Sequence, residues 1–431
     1  MTHANYDSLE TRAPADREAA LLAALPGLIA QAQRGAPAVA AQLAGVDAAS
    51  VTSRAALACL PVVRKSELLE RQQAARAAGG NGDVFGGFSA IGWRNQPRGG
   101  VGRGARRVFQ SPGPIYEPEG EGSDYWRMAR AIFAAGFRAG DLIHNSFSYH
   151  LTPAGSMMET GAHALGCTVF AGGVGNTELQ LQAMTELRPA GYIGTPSFLK
   201  IAVEKATESG ADITSLTKAL VSGEAFPPSL RDWLAERGIT AYQCYATADL
   251  GLIAYETSAR QGLVLDEGVI VEIVRPGTGD PVPEGEVGEL VVTTFNADYP
   301  LIRFGTGDLS AVLPGTCPSG RTNTRIKGWM GRADQTTKVR GMFVHPGQVA
   351  AVLKRHPELG RARLVVEGEM ANDRMTLKAE LAAAGNSPDG LAARVADSIR
   401  DLTKLRGDVE LVAAGSLPND GKVIEDARSY K

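Results

Sequence analysis

The 431 residues hold only four cysteines, Cys59, Cys167, Cys244 and Cys317, far apart and with no CxxC pair. That scarcity excludes a disulfide framework and a closed thiolate zinc site. No apolar run reaches the roughly 18 residues that cross a bilayer. The opening MTHANYDSLETRAPADREAA lacks the basic, apolar and small-residue order of a signal peptide, so the cytoplasm is the expected location. Charge of one sign is missing too: 44 basic residues stand against 47 acidic ones, a net charge of -3. Nothing in that balance draws in nucleic acid or an anionic membrane. Internal repeats and low-complexity tracts are also lacking.

What is there is an ordinary globular composition, 44% hydrophobic and 21% charged, in a chain too long for one core. Near the start Leu21, Leu22, Leu25, Leu28 and Ile29 recur at helical spacing, with Pro26 placed to kink or restart the helix. The breaker-rich stretch 79–107 reads as loop or short irregular strands. From Ser123, the positions of Tyr125, Met128, Ala129, Ile132 and Phe133 predict a helix closed by Gly140 and Asp141. The strand LIHNSF follows, and helix and strand then alternate as far as TAYQCYA, which predicts parallel strands joined by helical crossovers. Beyond Gly262 the segments VIVEIVRP and GELVVTTF, separated by turn residues, predict antiparallel β structure. After GRADQ a helix from Gly347 to Arg355, strands RLVVEG and MTLKAEL, a helix from Leu391 to Leu402 and a strand VELVAA predict a small domain. The expected fold class is α/β: a large N-terminal domain of helix-flanked, mostly parallel sheets plus a β segment, and a small mobile α+β C-terminal domain.

Four segments carry the chemistry: SGEAF at 222–226, TGD at 306–308 within PLIRFGTGDLS, GRADQTTKVRGMFVHP at 331–346 and LPNDGK at 417–422. In their order and spacing, from about Leu60 to Lys431, the chain resembles the phenylacetate-coenzyme A ligase family, a branch of the adenylate-forming enzymes. The resemblance implies an AMP-binding domain over 1–331 and a lid over 332–431. It implies ATP, Mg2+ and coenzyme A as cofactors, a small aromatic or arylacetic acid as substrate, and a homodimer.

Asp308 is expected on a turn at a strand end, where its carboxylate accepts from two vicinal hydroxyls, and the resemblance assigns it the ribose of ATP. A turn-capping Asp is the plainer alternative. Ser222, Gly223 and Glu224 follow a strand, at the edge where open α/β sheets place ligands, and resemble the stretch flanking adenine. The segment YATAD at 245–249 departs from the family's Tyr-Gly-x-Ser/Thr-Glu. Tyr245, Ala246 and Thr247 are assigned to the nucleotide, and Asp249 is the magnesium candidate, a hard oxygen ligand one methylene shorter than the family's glutamate. Alternatively Asp249 caps a helix LGLIAYE.

The largest departure is FQSPGPIYEP at 109–118, in the place of the family's phosphate loop. Such a loop aims N–H groups and hydroxyls at phosphate oxygens. Pro112 and Pro114 each remove a donor, and Ser111 and Gly113 alone keep the expected residue types. Arg103, Arg106 and Arg107 stand just upstream as candidate anion clamps. The resemblance gives Lys422 the carboxylate and α-phosphate during adenylation, a task that suits a compact ammonium on a flexible stem. It gives Arg332 the nucleotide, Asp334 the hinge, with Gln335 replacing a second aspartate, and Gly341 the passage for the coenzyme A thiol.

Phe147, Tyr149, His150 and Pro196 are the acyl-pocket candidates. Many relatives carry a Cys/His zinc cluster; here Cys317 remains, Ser319 replaces a cysteine, and the upstream positions read YETS and GLVL, so no structural metal is expected. The glycines of AGGVGN do not fit a dinucleotide fingerprint. Two alternatives to an acid:coenzyme A ligase stay open: loading of an acyl carrier protein, and a weakened nucleotide-binding homologue.

Overall fold

The computed structural model describes residues 4–78, 83–92, 104–111, 113–335, 337–339, 342–368, 373–382, 388–418 and 422–428. Helix α1 (Pro14–Gly35) runs through Pro26 without stopping, and its face of Leu25, Leu28, Ile29 and Ala32 is buried. An interior proline costs about 3 kcal/mol. Burial of each large apolar side chain returns roughly 1.5–3 kcal/mol, so the packed face wins. Short helices α2 (Pro37–Gln42) and α3 (Arg54–Ala58), strand β1 (Val63–Arg64) and helix α4 (Lys65–Ala77) follow. Strands β2 (Arg107–Ser111) and β3 (Ile115–Glu119) then form an antiparallel hairpin.

After α5 (Ala129–Ala134) the alternation predicted from the sequence appears: β4 (Leu142–Asn145), α6 (Ala154–Ala164), β5 (Thr168–Ala171), α7 (Thr177–Leu187), β6 (Gly191–Gly194), α8 (Pro196–Ser209), β7 (Lys218–Val221), α9 (Pro228–Ala235) and β8 (Thr240–Thr247). The five strands are parallel in the order β8-β7-β6-β4-β5. Strand β9 (Gly251–Glu256) folds back antiparallel on β8, and β10 (Leu263–Leu265) on β9.

Strands β11 (Val269–Val274), β12 (Gly288–Thr294) and β13 (Phe304–Ser310) build a second sheet in the order β1-β13-β12-β11. Every residue of β11 and β12 is buried. Arg303 is locked beside this sheet, its guanidinium paired with Glu272 (2.9 Å) and donating to the carbonyls of Ala58 (2.8 Å) and Gly279 (2.7 Å). A buried ion pair holds only when its remaining protons are satisfied in this way. Strands β14 (Val312–Leu313) and β15 (Arg325–Ile326) complete the nine-stranded sheet beyond β10.

The chain divides into two compact units, one of Met1–Val274, Gly279–Thr306 and Ala311–Gly328, the other of Arg275–Thr278, Gly307–Ser310 and Trp329–Lys431. In the second, β16 (Thr337–Val339) and β17 (Met342–Val344) form a hairpin before α10 (Pro346–Arg355). Strands β18 (Leu359–Glu367) and β19 (Arg374–Leu381), helix α11 (Leu391–Thr403), and strands β20 (Asp408–Val412) and β21 (Ile424–Asp426) follow, with sheet order β20-β19-β18-β21. The core of this unit joins Val349 and Val352 of α10 to Leu391, Val395 and Ile399 of α11, the latter three spaced by one helical turn each.

The structure corrects three local expectations. The helix predicted from Ser123 is confined to Ala129–Ala134, because Arg127 takes a positive φ of 62° in the turn before it. The segment LGLIAYE is strand β9 rather than a helix, so Asp249 caps no helix and sits instead in the β8–β9 turn. Asp308 lies inside β13 rather than beyond a strand end, with Gly307 at φ 72° absorbing the irregularity.

Candidate active site

The carboxyl ends of β4, β6, β7 and β8 gather the residues singled out in the first unit. The Ser222 N–H, just past β7, donates to the Gly194 carbonyl (3.2 Å), and its hydroxyl donates to the Cys244 carbonyl (2.8 Å). Gly223 turns with φ 81°, and a Cβ there would stand 3.7 Å from the Phe147 ring and 3.9 Å from the Thr195 methyl. Phe147, Thr195 and the Ser222–Glu224 turn are therefore neighbours. Glu224 accepts from the Ser197 N–H (3.3 Å) at the start of α8, where Thr195 caps the helix and Pro196 is its first residue. An acceptor at this position suits the orphan N–H groups of a helix start.

The floor beneath is polar and tight. Ser146 and Tyr192 share a 2.5 Å hydrogen bond, and a Cβ on Gly194 would fall 2.0 Å from Ser146 Oγ. Asn145 donates to the Tyr149 hydroxyl (2.8 Å) and the Gly155 carbonyl (2.9 Å). Burial, then Glu159, pushes the Tyr149 hydroxyl pKa up. His150 is exposed, whereas Phe147 and Pro196 are buried. His144, which sequence reasoning did not single out, is buried beside Phe170 with Nε2 2.7 Å from Gln180 Oε1, and burial lowers its pKa.

At the β8–β9 turn, Tyr245 and Ala246 pair with Ala254 and Leu252 of β9. Thr247 Oγ1 accepts the Leu250 N–H (3.2 Å), so this hydroxyl braces the turn. Asp249 is buried; the Lys65 ammonium lies 3.0 Å from Oδ2, while Oδ1 has no hydrogen-bond partner.

The β2–β3 hairpin stands at the same edge, since the Gln110 N–H donates to the Leu151 carbonyl (2.7 Å) in the loop after β4. Pro112 lies outside the described residues, and Gly113 is exposed at the hairpin turn. Arg103 is likewise outside the described residues. Arg107 points to Glu119 (2.7 Å) and Ser156 (2.8 Å), an internal role. Ser111 is buried, and its hydroxyl donates to the Glu117 carboxyl, which is itself 0% exposed. Burial, then the charge of Asp249, pushes the Glu117 pKa up to about 8. Neither Glu117 nor Lys65 was singled out from the sequence; an acid inside a segment that should receive phosphate was the available signal.

Buried oxygens without partners, Asp249 Oδ1, Glu117 Oε2 and Tyr299 Oη, occur in this region. Oxygen donors suit Mg2+, which usually binds through one or two carboxylates plus substrate phosphates, so Asp249 fits such an ion. Among the described residues no group of three or more His, Cys, Asp or Glu is placed to hold a metal on its own. Around Cys317 the neighbours are hydroxyls, Thr257 Oγ1 at 3.4 Å and Ser319 Oγ at 3.1 Å. Burial raises the thiol pKa, but these hydrogen bonds leave it lowered overall.

In the second unit Asp308 Oδ1 accepts from Trp329 Nε1 (3.1 Å) and Arg332 Nη1 (3.1 Å). A Cβ on Gly307 would meet Arg332 Nη2 at 2.6 Å, so glycine is needed for that approach. Trp329 remains 55% exposed. A pocket of about 330 Å³ runs from Trp329 past Pro346, Val349, Leu353 and Arg363 to Lys422. Lys422 is exposed, and the following Val423 N–H donates to Gln335 Oε1 (2.8 Å). Asp334 falls in the one-turn 3-10 helix Ala333–Gln335, and Gly341 lies outside the described residues.

Two family models match: AMP-binding enzyme over residues 129–296 and AMP-binding enzyme C-terminal domain over 341–426. A phenylacetate-coenzyme A ligase of Thermus thermophilus is 34% identical over 263 residues, 59% of this chain and 59% of that protein. One of Aromatoleum evansii is 32% identical over 291 residues, covering 64% and 66%. That of Escherichia coli is 30% identical over 317 residues, covering 69% and 72%. The chain thus spans about three fifths to two thirds of the length of the Thermus and Aromatoleum proteins. Among solved structures, an open conformation of 2-hydroxyisobutyryl-CoA ligase with 2-HIB-AMP and CoA has the same fold, with TM-score 0.81 at 24% identity over 97% of this chain and 93% of that one. The postadenylation state of that ligase with 2-HIB-AMP gives TM-score 0.73 at 25% identity, covering 97% and 91%. No helix among the described residues is long and apolar enough to cross a membrane.

Proposed function

Because the chain belongs to the phenylacetate-coenzyme A ligase family, being 30% identical to the Escherichia coli enzyme over 72% of its length, we propose that it activates a carboxylic acid as an acyl-adenylate and passes the acyl group to coenzyme A. In the first step the carboxylate attacks the α-phosphate of ATP, giving acyl-AMP and pyrophosphate. In the second the thiol of coenzyme A displaces AMP. An aryl or arylacetic acid is the proposed substrate, with the buried Phe147 and Pro196 against its ring and Tyr149 fixed by Asn145 beside them.

The observation that carries this reading is the convergence of Ser222, Gly223, Phe147 and Thr195 at adjacent strand ends. It supports a nucleotide-plus-acid site because an adenine and an apolar acyl group need flat, half-apolar walls with backbone acceptors between them. Asp308 holds the ribose and Arg332 the α-phosphate oxygens, the two being already oriented on one another. Lys422 neutralises charge on the phosphoryl group as it transfers. Asp334 serves as the pivot of the 332–431 lid between steps, and Gly341 as the thiol passage. Asp249 would hold Mg2+, which when bound offsets the charge of the outer phosphates.

A second reading, a nucleotide-binding homologue with weakened turnover, draws on Glu117 in the phosphate hairpin. Pyrophosphate exchange and mass spectrometry of thioesters, over a panel of aromatic acids with ATP, Mg2+ and coenzyme A, separate the two. Acid-dependent exchange and a thioester are expected. AMP binding with neither product, for any acid, would favour the second reading; thioester formed on a carrier protein alone would move the acceptor.

A further inference from the structure

The turn that carries Asp249 is fixed from outside its own hairpin. The ladder of β8 and β9 shifts register between Tyr245 and Ala246, so pairing is irregular where the nucleotide candidates stand. Leu250, the residue after Asp249, is pinned at both backbone groups. Its N–H donates to Thr247 Oγ1 (3.2 Å), and its carbonyl accepts from Arg127 Nη2 (2.5 Å). The same nitrogen donates to the Leu252 carbonyl (3.0 Å), while the Leu252 N–H donates to the Trp126 carbonyl (2.9 Å). A Cβ on Gly251 would stand 2.7 Å from the Trp126 oxygen, so the two segments meet backbone to backbone.

Arg127 takes this place in a strained conformation. Its φ of 62° lies in the left-handed region, which side chains other than Asn and Asp seldom adopt. Such strain persists where surrounding contacts over-determine it, and it clusters at functional sites. The buried Asp266 supplies the anchor: its Oδ2 accepts from Arg127 Nε (3.0 Å) and from the Gly268 N–H (2.8 Å). The guanidinium is thus held by an acid on one edge and holds the start of β9 with the other. Asp249 itself offers one carboxylate, Oδ2 beside Lys65 and Oδ1 without a hydrogen-bond partner. A lone carboxylate on a short turn depends on neighbours to set its direction, because the contacts that orient a ligand count in metal affinity.

We propose that Arg127 is a positioning residue of the metal–nucleotide site: by clasping the Leu250 and Leu252 carbonyls it sets the direction in which Asp249 is presented to the magnesium ion that accompanies ATP. The inference rests on the magnesium reading of Asp249 above and adds the group that orients it. Loss of such an outer contact lowers metal affinity by about 10–100-fold. AMP, which carries no outer phosphates, is spared.

Calorimetric titration of the full chain tests it, with a non-hydrolysable ATP analogue plus Mn2+ and with AMP alone, while electron paramagnetic resonance counts the bound Mn2+. Arg127→Lys keeps a charge facing Asp266 but not the planar fork that spans the acid and two carbonyls. Arg127→Gly combined with Asp266→Asn suits the left-handed backbone and leaves no buried acid unpaired. Both should bind the Mn2+ complex about tenfold or more weakly than the wild type, and AMP as the wild type does. Asp249→Asn should itself weaken the Mn2+ complex, and adding Arg127→Lys to it should cost nothing further. If the paired variant does not fold, Arg127→Lys decides alone. Folded variants that bind the Mn2+ complex like the wild type, or lose AMP by the same factor, overturn the proposal, as does an Arg127→Lys loss that persists in full beside Asp249→Asn. Mn2+ binding untouched by Asp249→Asn overturns the magnesium reading and this proposal with it.

Discussion

The strand-end loops and the β2–β3 hairpin sit at one edge of the first unit yet treat their polar groups in opposite ways. After β6 and β7 the chain satisfies only its own backbone: Ser222 bonds the Gly194 and Cys244 carbonyls, and Gly223 leaves the Phe147 ring facing an open turn. In the hairpin, by contrast, the Ser111 hydroxyl donates to Glu117, Lys65 reaches Ser111 Oγ and Asp249, and Glu117 Oε2 has no hydrogen-bond partner. The first arrangement leaves space and surface for a nucleoside and an acid. The second turns the Ser111 hydroxyl inward onto an acid of the same hairpin.

This contrast can be sharpened by substitution. The largest effect is expected at Lys422: Lys422→Ala should slow adenylation by about 10²–10³-fold, as loss of one preorganised charge does, with AMP affinity unchanged. Pyrophosphate exchange beside calorimetry reads both. Asp308→Ala should weaken AMP and ATP together, by about 10–100-fold, the worth of hydrogen bonds to a charged group. A loss confined to ATP would contradict a ribose contact, which both nucleotides share.

A smaller effect is expected from Gly194→Ala, whose Cβ would fall 2.0 Å from Ser146 Oγ and 2.1 Å from Tyr192 Oη. Overpacking of that kind costs about 1–3 kcal/mol and should lower Tm and weaken acid binding while sparing AMP. The smallest is a slope. Burial holds the Asp124 carboxyl up at about 6, although the Ala129 N–H lowers it. The folded chain keeps a proton that the unfolded chain releases nearer 3.8, so this contribution is complete below that value and lost as pH rises through 6. Asp124→Asn should flatten the fall of Tm over that window, without altering either nucleotide affinity.

The parallel sheet was legible in the sequence because helix and strand periods differ and the connections are short. SGEAF, TGD and LPNDGK pointed to the family because glycine, acid and lysine recur in a fixed order. What was hidden depended on distant partners. Arg127 adopts a positive φ because its guanidinium reaches Asp266 (3.0 Å) and the Leu252 carbonyl (3.0 Å), which ends the helical pattern early. A short apolar run such as LGLIAYE carries no preference strong enough to choose helix or strand, and pairing with β8 chose strand. Nothing local marks Glu117 as an inward-facing acid; its burial follows from the hairpin register, which sets it opposite Phe109.

The most direct test of the central claim supplies the intermediate itself. Wild-type protein in molar excess over a synthetic aryl- or arylacetyl-adenylate, mixed with coenzyme A and no ATP, should yield the thioester and AMP in a single turnover. An adenylate that stays unreacted, or is only hydrolysed, across the same panel of acids would contradict the account.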